Sequence, residues 1–272
     1  MSKAPFKAKK SLGQNFLTDE TVIDAIAEAA VQSSEDWVLE IGPGHGAITG
    51  AVAERAERLI CVELDSDLIP ALRTQFILHP NVEIVEADIL KTDINALLKD
   101  APAARSVVGN LPYYITTPVL MKFIEEDVKA DRMTVMVQKE VAERIAEGPG
   151  SKTYGILSVL LQAWYDIEYL FTVGSGCFAP PPKVESAVIR LRRNSRTELG
   201  CDEKLFKTVV KTAFGQRRKM MRNPLKPLAR AKADRESWSE EQLADFLARE
   251  IFTLRPEKLS VEDFIGLTNL LA

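Results

Sequence analysis

Short runs of apolar residues recur along most of the chain, and segments with helical spacing of apolar residues separate them. Seven of these runs predict buried β-strands, at residues 37–41, 58–64, 81–87, 106–109, 133–137, 167–173 and 187–191. The intervening segments predict helices at about residues 20–30, 47–54, 67–78, 93–98, 117–128 and 155–164. Alternating strands and helices predict an α/β fold, with a mostly parallel seven-stranded sheet and helices on both faces.

The pattern changes near the C-terminal third of the chain. Residues 194–201 are polar, and no strand pattern follows them. Helical spacing returns at about residues 202–214, 239–250 and 261–270, with a basic segment interrupted by Pro224 and Pro227. We therefore predict an α/β domain over residues 1–194 and a small all-α domain over residues 195–272.

A glycine-rich turn, Gly42-Pro43-Gly44-His45-Gly46, follows the first predicted strand and precedes a helix. In open α/β sheets, ligands bind at the carboxyl ends of the strands. The spacing Gly-x-Gly-x-Gly differs from the dinucleotide fingerprint G-x-G-x-x-G. It resembles the cofactor loop of methyltransferases that use S-adenosylmethionine (SAM), although a plain strand-to-helix turn is the simpler alternative.

Two acidic residues stand at the ends of the next two strands. Glu63 comes about twenty residues after Gly42, the place where Rossmann-type folds put a carboxylate that accepts hydrogen bonds from ribose hydroxyls. Asp88 closes the following strand and is placed to reach an adenine amino group. A surface acid at a strand end is the structural alternative for Glu63.

The segment Asn110-Leu111-Pro112-Tyr113 ends the fourth predicted strand. It resembles the motif of methyltransferases that act on exocyclic amino groups. The Asn110 amide oxygen can accept a hydrogen bond from an amino group, and the Tyr113 ring can stack on a base. Further along, Pro180 to Pro182 form a stiff segment that can hold Phe178 in place, although Phe178 can equally be a core residue.

Composition excludes several classes of protein. The chain has 272 residues and is 46% hydrophobic, but no apolar run is long enough to span a membrane. No secretory signal pattern appears at the N-terminus. Three scattered cysteines and two histidines predict neither a metal site nor a disulfide framework. We therefore expect a cytoplasmic protein without a metal.

The net charge is −4, but its distribution is uneven. Four lysines and no acid lie within the first ten residues. A second basic run holds Arg217, Arg218, Lys219, Arg222, Lys226, Arg230 and Lys232, with no acid among them. One such run is usually a solvated face, but two on an acidic protein predict a surface for a polyanion.

Taken together, the motifs resemble those of the bacterial ribosomal RNA adenine dimethyltransferases, specifically the family of 16S enzymes of small-subunit biogenesis. The similarity covers nearly the whole chain, at residues 10–17, 40–46, 62–65, 86–90, 110–118, 178–186, 214–219 and 255–257. The chain departs at Tyr114, where many family members carry Asn. Because Asn110, Pro112 and Tyr113 are kept, we expect the chemistry to be intact.

The resemblance implies a Rossmann-like, class I SAM-dependent methyltransferase domain followed by a helical rRNA-binding domain. It implies that SAM is bound by Asn15, Leu17, Gly42, Glu63, Asp88 and Asn110. Asn110, Tyr113 and Phe178 would face the target base, and Arg217, Arg218, Lys219 and Arg222 would bind RNA. The implied partner is 16S rRNA in the immature 30S subunit, and we expect a monomer.

The implied reaction dimethylates N6 of two adjacent adenines near the 3′ end of 16S rRNA. Three alternatives remain open: a 23S rRNA adenine methylase of the antibiotic-resistance type, a mainly non-catalytic ribosome assembly factor, and an NAD-dependent oxidoreductase. The Gln216–Lys219 segment and the helical tail favour the 16S enzyme over the first. The intact Asn110 motif argues against the second, and the glycine spacing argues against the third.

Overall fold

A computed structural model describes residues 13–101, 104–126, 128 and 130–272. The lysines of the first ten residues and the beginning of the 10–17 motif lie outside these ranges. The described strands are β1 Phe16–Leu17, β2 Trp37–Ile41, β3 Arg58–Glu63, β4 Val82–Glu86, β5 Arg105–Asn110, β6 Arg132–Gln138, β7 Tyr165–Val173, β8 Phe178–Ala179 and β9 Ser186–Arg193.

The described helices alternate with these strands and then continue alone. They are α1 Glu20–Ala30, α2 Ala47–Ala53, α3 Ile69–Gln75, α4 Ile94–Leu97, α5 Thr116–Glu125, α6 Lys139–Ala146, α7 Ile156–Gln162, α8 Glu203–Gly215, α9 Lys226–Arg235, α10 Glu240–Ala248, α11 Glu250–Thr253 and α12 Val261–Leu271. Among these residues, no helix is long and apolar enough to cross a membrane.

Seven strands form one sheet in the order β4-β3-β2-β5-β6-β9-β7, which confirms the predicted α/β fold. The pairs β3–β4, β2–β3, β2–β5 and β5–β6 are parallel, and β6 pairs with β9 in the antiparallel direction. Strands β2, β3 and β5 are almost wholly buried, as expected for parallel strands covered on both faces. Their carboxyl ends therefore meet at one edge of the sheet.

A second, two-stranded sheet joins distant parts of the chain. β1 pairs with β8, so that Leu17 lies opposite Phe178. Thr18 N–H extends this pairing by donating to the Cys177 carbonyl at 2.9 Å. The segment before α1 is therefore fixed to the loop between β7 and β9.

The chain divides into two compact units, and each unit is built from two separate segments of the sequence. The sequence instead predicts two consecutive domains. The first unit contains residues up to Ala142 together with Ile167–Arg193, and the second contains Glu143–Asp166 and Asn194–Ala272. Sequence analysis places residues 143–166 in the α/β domain, but α7 packs against α8 and α12. The apolar face of α7 is thus covered by helices that follow much later in sequence.

Each unit has an apolar core of its own. In the first, buried residues of α1, α2 and the central strands pack together, among them Ile26, Val38 and Leu59. In the second, Phe206 and Phe264 are almost completely buried, and the rings of Phe214 and Phe264 are 5.8 Å apart.

Candidate active site

A cleft opens in the first unit at the carboxyl edge of the sheet. Loops after β2, β3, β4 and β5 line it, together with β1 and Phe178. The cleft brings together all eight residues to which the sequence assigns roles in binding SAM or the target base: Asn15, Leu17, Gly42, Glu63, Asp88, Asn110, Tyr113 and Phe178.

Residues 42–45 of the glycine turn line the cleft. Gly42, Gly44 and Gly46 all have positive φ. A Cβ added at Gly46 would lie 2.7 Å from Cε2 of Phe76, so the turn tolerates no side chain there. A Cβ at Gly42 would meet no protein atom within 4 Å and would enter space that borders the cleft. The main chain at Gly42 is therefore accessible to a ligand.

Glu63 is the last residue of β3 and is only 6% exposed. Gly44 N–H donates to its Oε2 at 3.0 Å, and Asp65 N–H donates to its Oε1 at 2.8 Å. Burial raises the pKa of Glu63, and these backbone hydrogen bonds oppose the rise. Each oxygen keeps further lone-pair capacity, so the carboxylate is oriented and can still accept from hydroxyl groups.

Asp88 follows β4 and is more accessible than Glu63. Leu90 N–H donates to its Oδ1 at 3.0 Å, and the Lys91 ammonium lies 3.3 Å from its Oδ2. The Asp88 side chain is 26% exposed. Its turn is closed by Lys91 and Thr92 N–H groups that donate to the Asp88 carbonyl.

Asn110 ends β5, and its side chain holds the β1 segment. Its Nδ2 donates to the Asn15 carbonyl at 2.9 Å. Because Nδ2 of Asn110 donates to this carbonyl, Oδ1 is the atom of the amide that can accept a hydrogen bond from a ligand. Asn15 in turn donates from its own Nδ2 to the Gly13 carbonyl at 3.3 Å.

Tyr113 is held from β9. Its hydroxyl is 2.9 Å from Oγ of Ser186, which is completely buried. Ser186 belongs to one of the recognised motifs, but sequence analysis gives it no role, because only the antiparallel β6–β9 pairing brings it near Tyr113. The hydrogen bond fixes the tyrosine ring at the edge of the cleft.

Phe178 lines the cleft and also belongs to the apolar core of the first unit. It is 5% exposed, and Leu17 opposite it is also 5% exposed. Phe178 therefore has the cleft position that a role at the target base requires, and it also has the burial expected of a core residue. A role in base stacking stays a prediction, and truncating Phe178 would also remove core packing.

Glu40 is a cleft residue to which sequence analysis assigns no role. It lies in β2, is 1% exposed and accepts from the Cys61 thiol at an Sγ–Oε2 distance of 3.5 Å. Burial raises the pKa of Glu40 to about 7. Glu40 stands out in the sequence because it is an acidic residue within an otherwise apolar strand. Its burial could not be predicted, because it depends on residues from other strands.

The predicted RNA-binding residues lie in the second unit and not in the cleft lining. Arg218, Lys219 and Arg222 are exposed. Arg217 is half-buried, and its guanidinium donates to the Ser151 carbonyl at 3.3 Å. Met221 and Arg222 N–H groups donate to the carbonyls of Leu254 and Phe252, so the backbone of this basic segment is fixed.

The rest of the basic run is partly neutralised within the protein. Arg230 forms an ion pair with Glu240, in which Nη2 and Oε2 are 2.8 Å apart. Lys232 pairs with Glu236 at 2.7 Å. Within the described ranges, no group of three or more His, Cys, Asp or Glu residues is arranged to hold a metal ion.

The model of the family "Ribosomal RNA adenine dimethylase" matches residues 5–248. A protein of Parabacteroides distasonis named "Ribosomal RNA small subunit methyltransferase A" is 48% identical over 264 residues, covering 96% of this chain and 93% of the relative. A protein of the same name from Alkaliphilus oremlandii is 41% identical and covers 100% of this chain and 94% of its own length.

Two solved structures share the architecture. A dimethyladenosine transferase from Plasmodium falciparum has a TM-score of 0.77 and 23% identity, with 93% of this chain and 95% of that one covered. The 23S rRNA methyltransferase ErmE has a TM-score of 0.66 and 26% identity, with 94% and 100% covered. The first similarity supports the fold alone, because its sequence identity is low.

Proposed function

Since this chain belongs to the ribosomal RNA adenine dimethylase family, we propose that it dimethylates N6 of two adjacent adenines near the 3′ end of 16S rRNA. The products are N6,N6-dimethyladenosines, formed during small-subunit biogenesis. High identity over nearly the full length to relatives named for the small subunit is the observation that carries this proposal.

The cleft fits SAM, the cofactor of this class of enzyme. Its accessible Gly42 backbone and its buried, oriented Glu63 carboxylate suit a ligand with ribose hydroxyls and a polar tail. We assign the ribose to Glu63, the adenine amino group to Asp88, and further contacts to Asn15, Leu17, Gly42 and Asn110. Bound SAM supplies an electrophilic methyl group.

The residues of the chain mainly orient the acceptor amine. An adenine amino nitrogen is a poor nucleophile because its lone pair is delocalised into the ring. Asn110 Oδ1 accepts a hydrogen bond from this amino group and favours a geometry with a more available lone pair. Tyr113, held by Ser186, and Phe178 face the base from its two sides. The target adenine must first leave its stack, at a cost of a few kcal/mol.

RNA binding is assigned to the second unit. The exposed cations Arg218, Lys219 and Arg222 suit phosphate contacts with the immature 30S subunit. Arg217 contributes less, because its guanidinium already contacts the Ser151 carbonyl. We retain residues 195–272 as the rRNA-binding part of the chain. The enzyme acts as a monomer in the cytoplasm, where it meets the maturing subunit.

The proposal is tested with isotopically labelled SAM and with small and large subunits that lack these methyl groups. Modified bases are then mapped. We expect label on two adjacent adenines near the 3′ end of 16S rRNA and none in 23S rRNA. Label confined to 23S rRNA would support the antibiotic-resistance type of methylase instead. Tight binding to small subunits without any label would make the chain an assembly factor.

A further inference from the structure

Tyr114 comes directly after Tyr113 in the segment that follows β5. It lines the cofactor cleft and is 53% exposed. A Cβ built on Gly13 would lie 3.3 Å from Cδ1 of Tyr114, so the ring rests against the Cα of Gly13. Gly13 is the first described residue of the segment that runs into β1.

The segment Gly13–Leu17 lies along the cleft and is held at nearly every position. Gln14 Nε2 donates to Asp65 Oδ2 at 2.9 Å, and the Asn15 carbonyl accepts from Asn110.

The next two residues are held as well. The Phe16 ring lies with its centroid 4.0 Å from that of His45, and Leu17 pairs with Phe178. Among the described residues, Tyr114 contacts the Gly13 end of this segment.

Tyr114 also lies on the cofactor side of the cleft. Partial burial raises the pKa of its hydroxyl, and the nearby charges of Asp88 and Glu63 raise it further. Tyr114 shares the lining of the cleft with Glu63 and Asp88, the two carboxylates assigned to the adenosine part of SAM.

We propose that Tyr114 is a positioning residue that fixes Gly13–Leu17 across the cofactor cleft and so strengthens the binding of SAM. The ring makes this contact, and the hydroxyl contributes little to it. A small polar side chain at this position would leave the Gly13 end of the segment uncovered. Tyr114 therefore sets cofactor affinity without contacting the target base.

The test compares Tyr114→Ala, Tyr114→Asn and Tyr114→Phe in the full chain without RNA. Calorimetric titration with SAM gives the affinity, and amide hydrogen exchange without ligand gives the protection of Gly13–Leu17. We expect Ala and Asn to weaken SAM binding about tenfold and to speed exchange in this segment, with Phe within about twofold of wild type. Tyr169→Ala is the matched control, because Tyr169 is a partly exposed tyrosine on β7 outside the cleft lining.

Because RNA is absent, the outcome does not depend on which RNA is methylated. Unchanged SAM affinity in a folded Tyr114→Ala variant would overturn the proposal, even if that variant bound subunits less tightly. Weaker SAM binding with unchanged exchange of Gly13–Leu17 would also overturn it, since Tyr114 would then act without holding the segment.

Discussion

The cofactor cleft and the basic segment around Arg218 differ in the exposure of their ionisable side chains. In the cleft, Glu40 and Glu63 are almost completely buried, and backbone N–H groups orient Glu63. In the basic segment the backbone is fixed, but Arg218 and Lys219 extend into solvent. Buried, oriented carboxyl groups give precise contacts with a small ligand, whereas exposed cations suit phosphates whose positions vary.

The comparison predicts different sensitivities to mutation. A single substitution in the cleft should strongly change one property, such as the methylation rate or the SAM affinity, because each group there has a fixed partner. A single change in the basic segment should cost little, and its effect should depend on salt.

Asn110→Ala should lower the methylation rate by about 10²–10³-fold, the scale for removing one preorganised polar group. The change removes the Oδ1 acceptor and also the hydrogen bond to the Asn15 carbonyl. Single-turnover methylation measures the rate, and subunit binding should change little. A rate within a few-fold of wild type would make Asn110 only a structural contact of the β1 segment.

Glu40→Gln should change the pH dependence of stability. The pKa of Glu40 is raised from 4.5 to about 7 in the folded protein, so folding favours its protonated form. The resulting stabilisation is complete below about pH 4.5 and is lost as pH rises through 7. It amounts to about 3 kcal/mol, at roughly 1.4 kcal/mol per pKa unit.

Denaturant unfolding of wild type and Glu40→Gln between pH 5 and 8 measures this effect. Glutamine resembles the protonated acid, so the wild type should lose stability relative to the variant as pH rises. Parallel curves for the two proteins would mean that Glu40 is charged in the folded state throughout this range.

Glu63→Ala should weaken SAM binding by about 1.5–3 kcal/mol, the usual range for hydrogen bonds to a charged group. This corresponds to roughly ten- to a hundred-fold in affinity. Calorimetric titration checks it, and Glu83→Ala serves as the control because Glu83 is an exposed acid on β4. Equal SAM affinity in wild type and folded Glu63→Ala would refute the ribose assignment.

Replacing Arg218, Lys219 and Arg222 by Glu should weaken subunit binding and lower its salt dependence. The slope of log affinity against log salt should fall by roughly one unit per lost phosphate contact. Replacing Arg230 and Lys232 is the matched control, because these cations already pair with Glu240 and Glu236. If both sets change the slope equally, the pairing does not decide which cations bind RNA.

The sequence predicts those parts of the fold that depend on local patterns. Buried apolar runs such as Val38–Leu39 and Val107–Val108 identify β2 and β5, and the strand order then places Glu63 and Asn110 at one edge. Pro224 and Pro227 indicate an interruption, but α9 begins at Lys226 with Pro227 in its first turn. A proline there removes no helical hydrogen bond.

Features that depend on long-range pairing could not be read from the sequence. The Tyr113–Ser186 hydrogen bond requires β9 to lie antiparallel beside β6, and the Leu17–Phe178 pair requires the β1–β8 sheet. Sequence analysis also assigns no helix to Lys139–Ala146, which forms α6. Its apolar residues Val141, Ala142, Ile145 and Ala146 have helical spacing, so this difference does not come from long-range pairing.

We propose that the cleft performs methyl transfer and that the basic segment supplies RNA affinity. Single-turnover methylation of unmethylated small subunits, measured over a range of subunit concentrations at saturating SAM, tests this directly. The Arg218, Lys219 and Arg222 charge-reversal variant should need more subunit but reach nearly the wild-type maximal rate. Asn110→Ala should stay about 10²–10³-fold slower at every concentration. Equal loss of maximal rate in both variants would mean that the basic segment takes part in methyl transfer itself and does not only bind RNA.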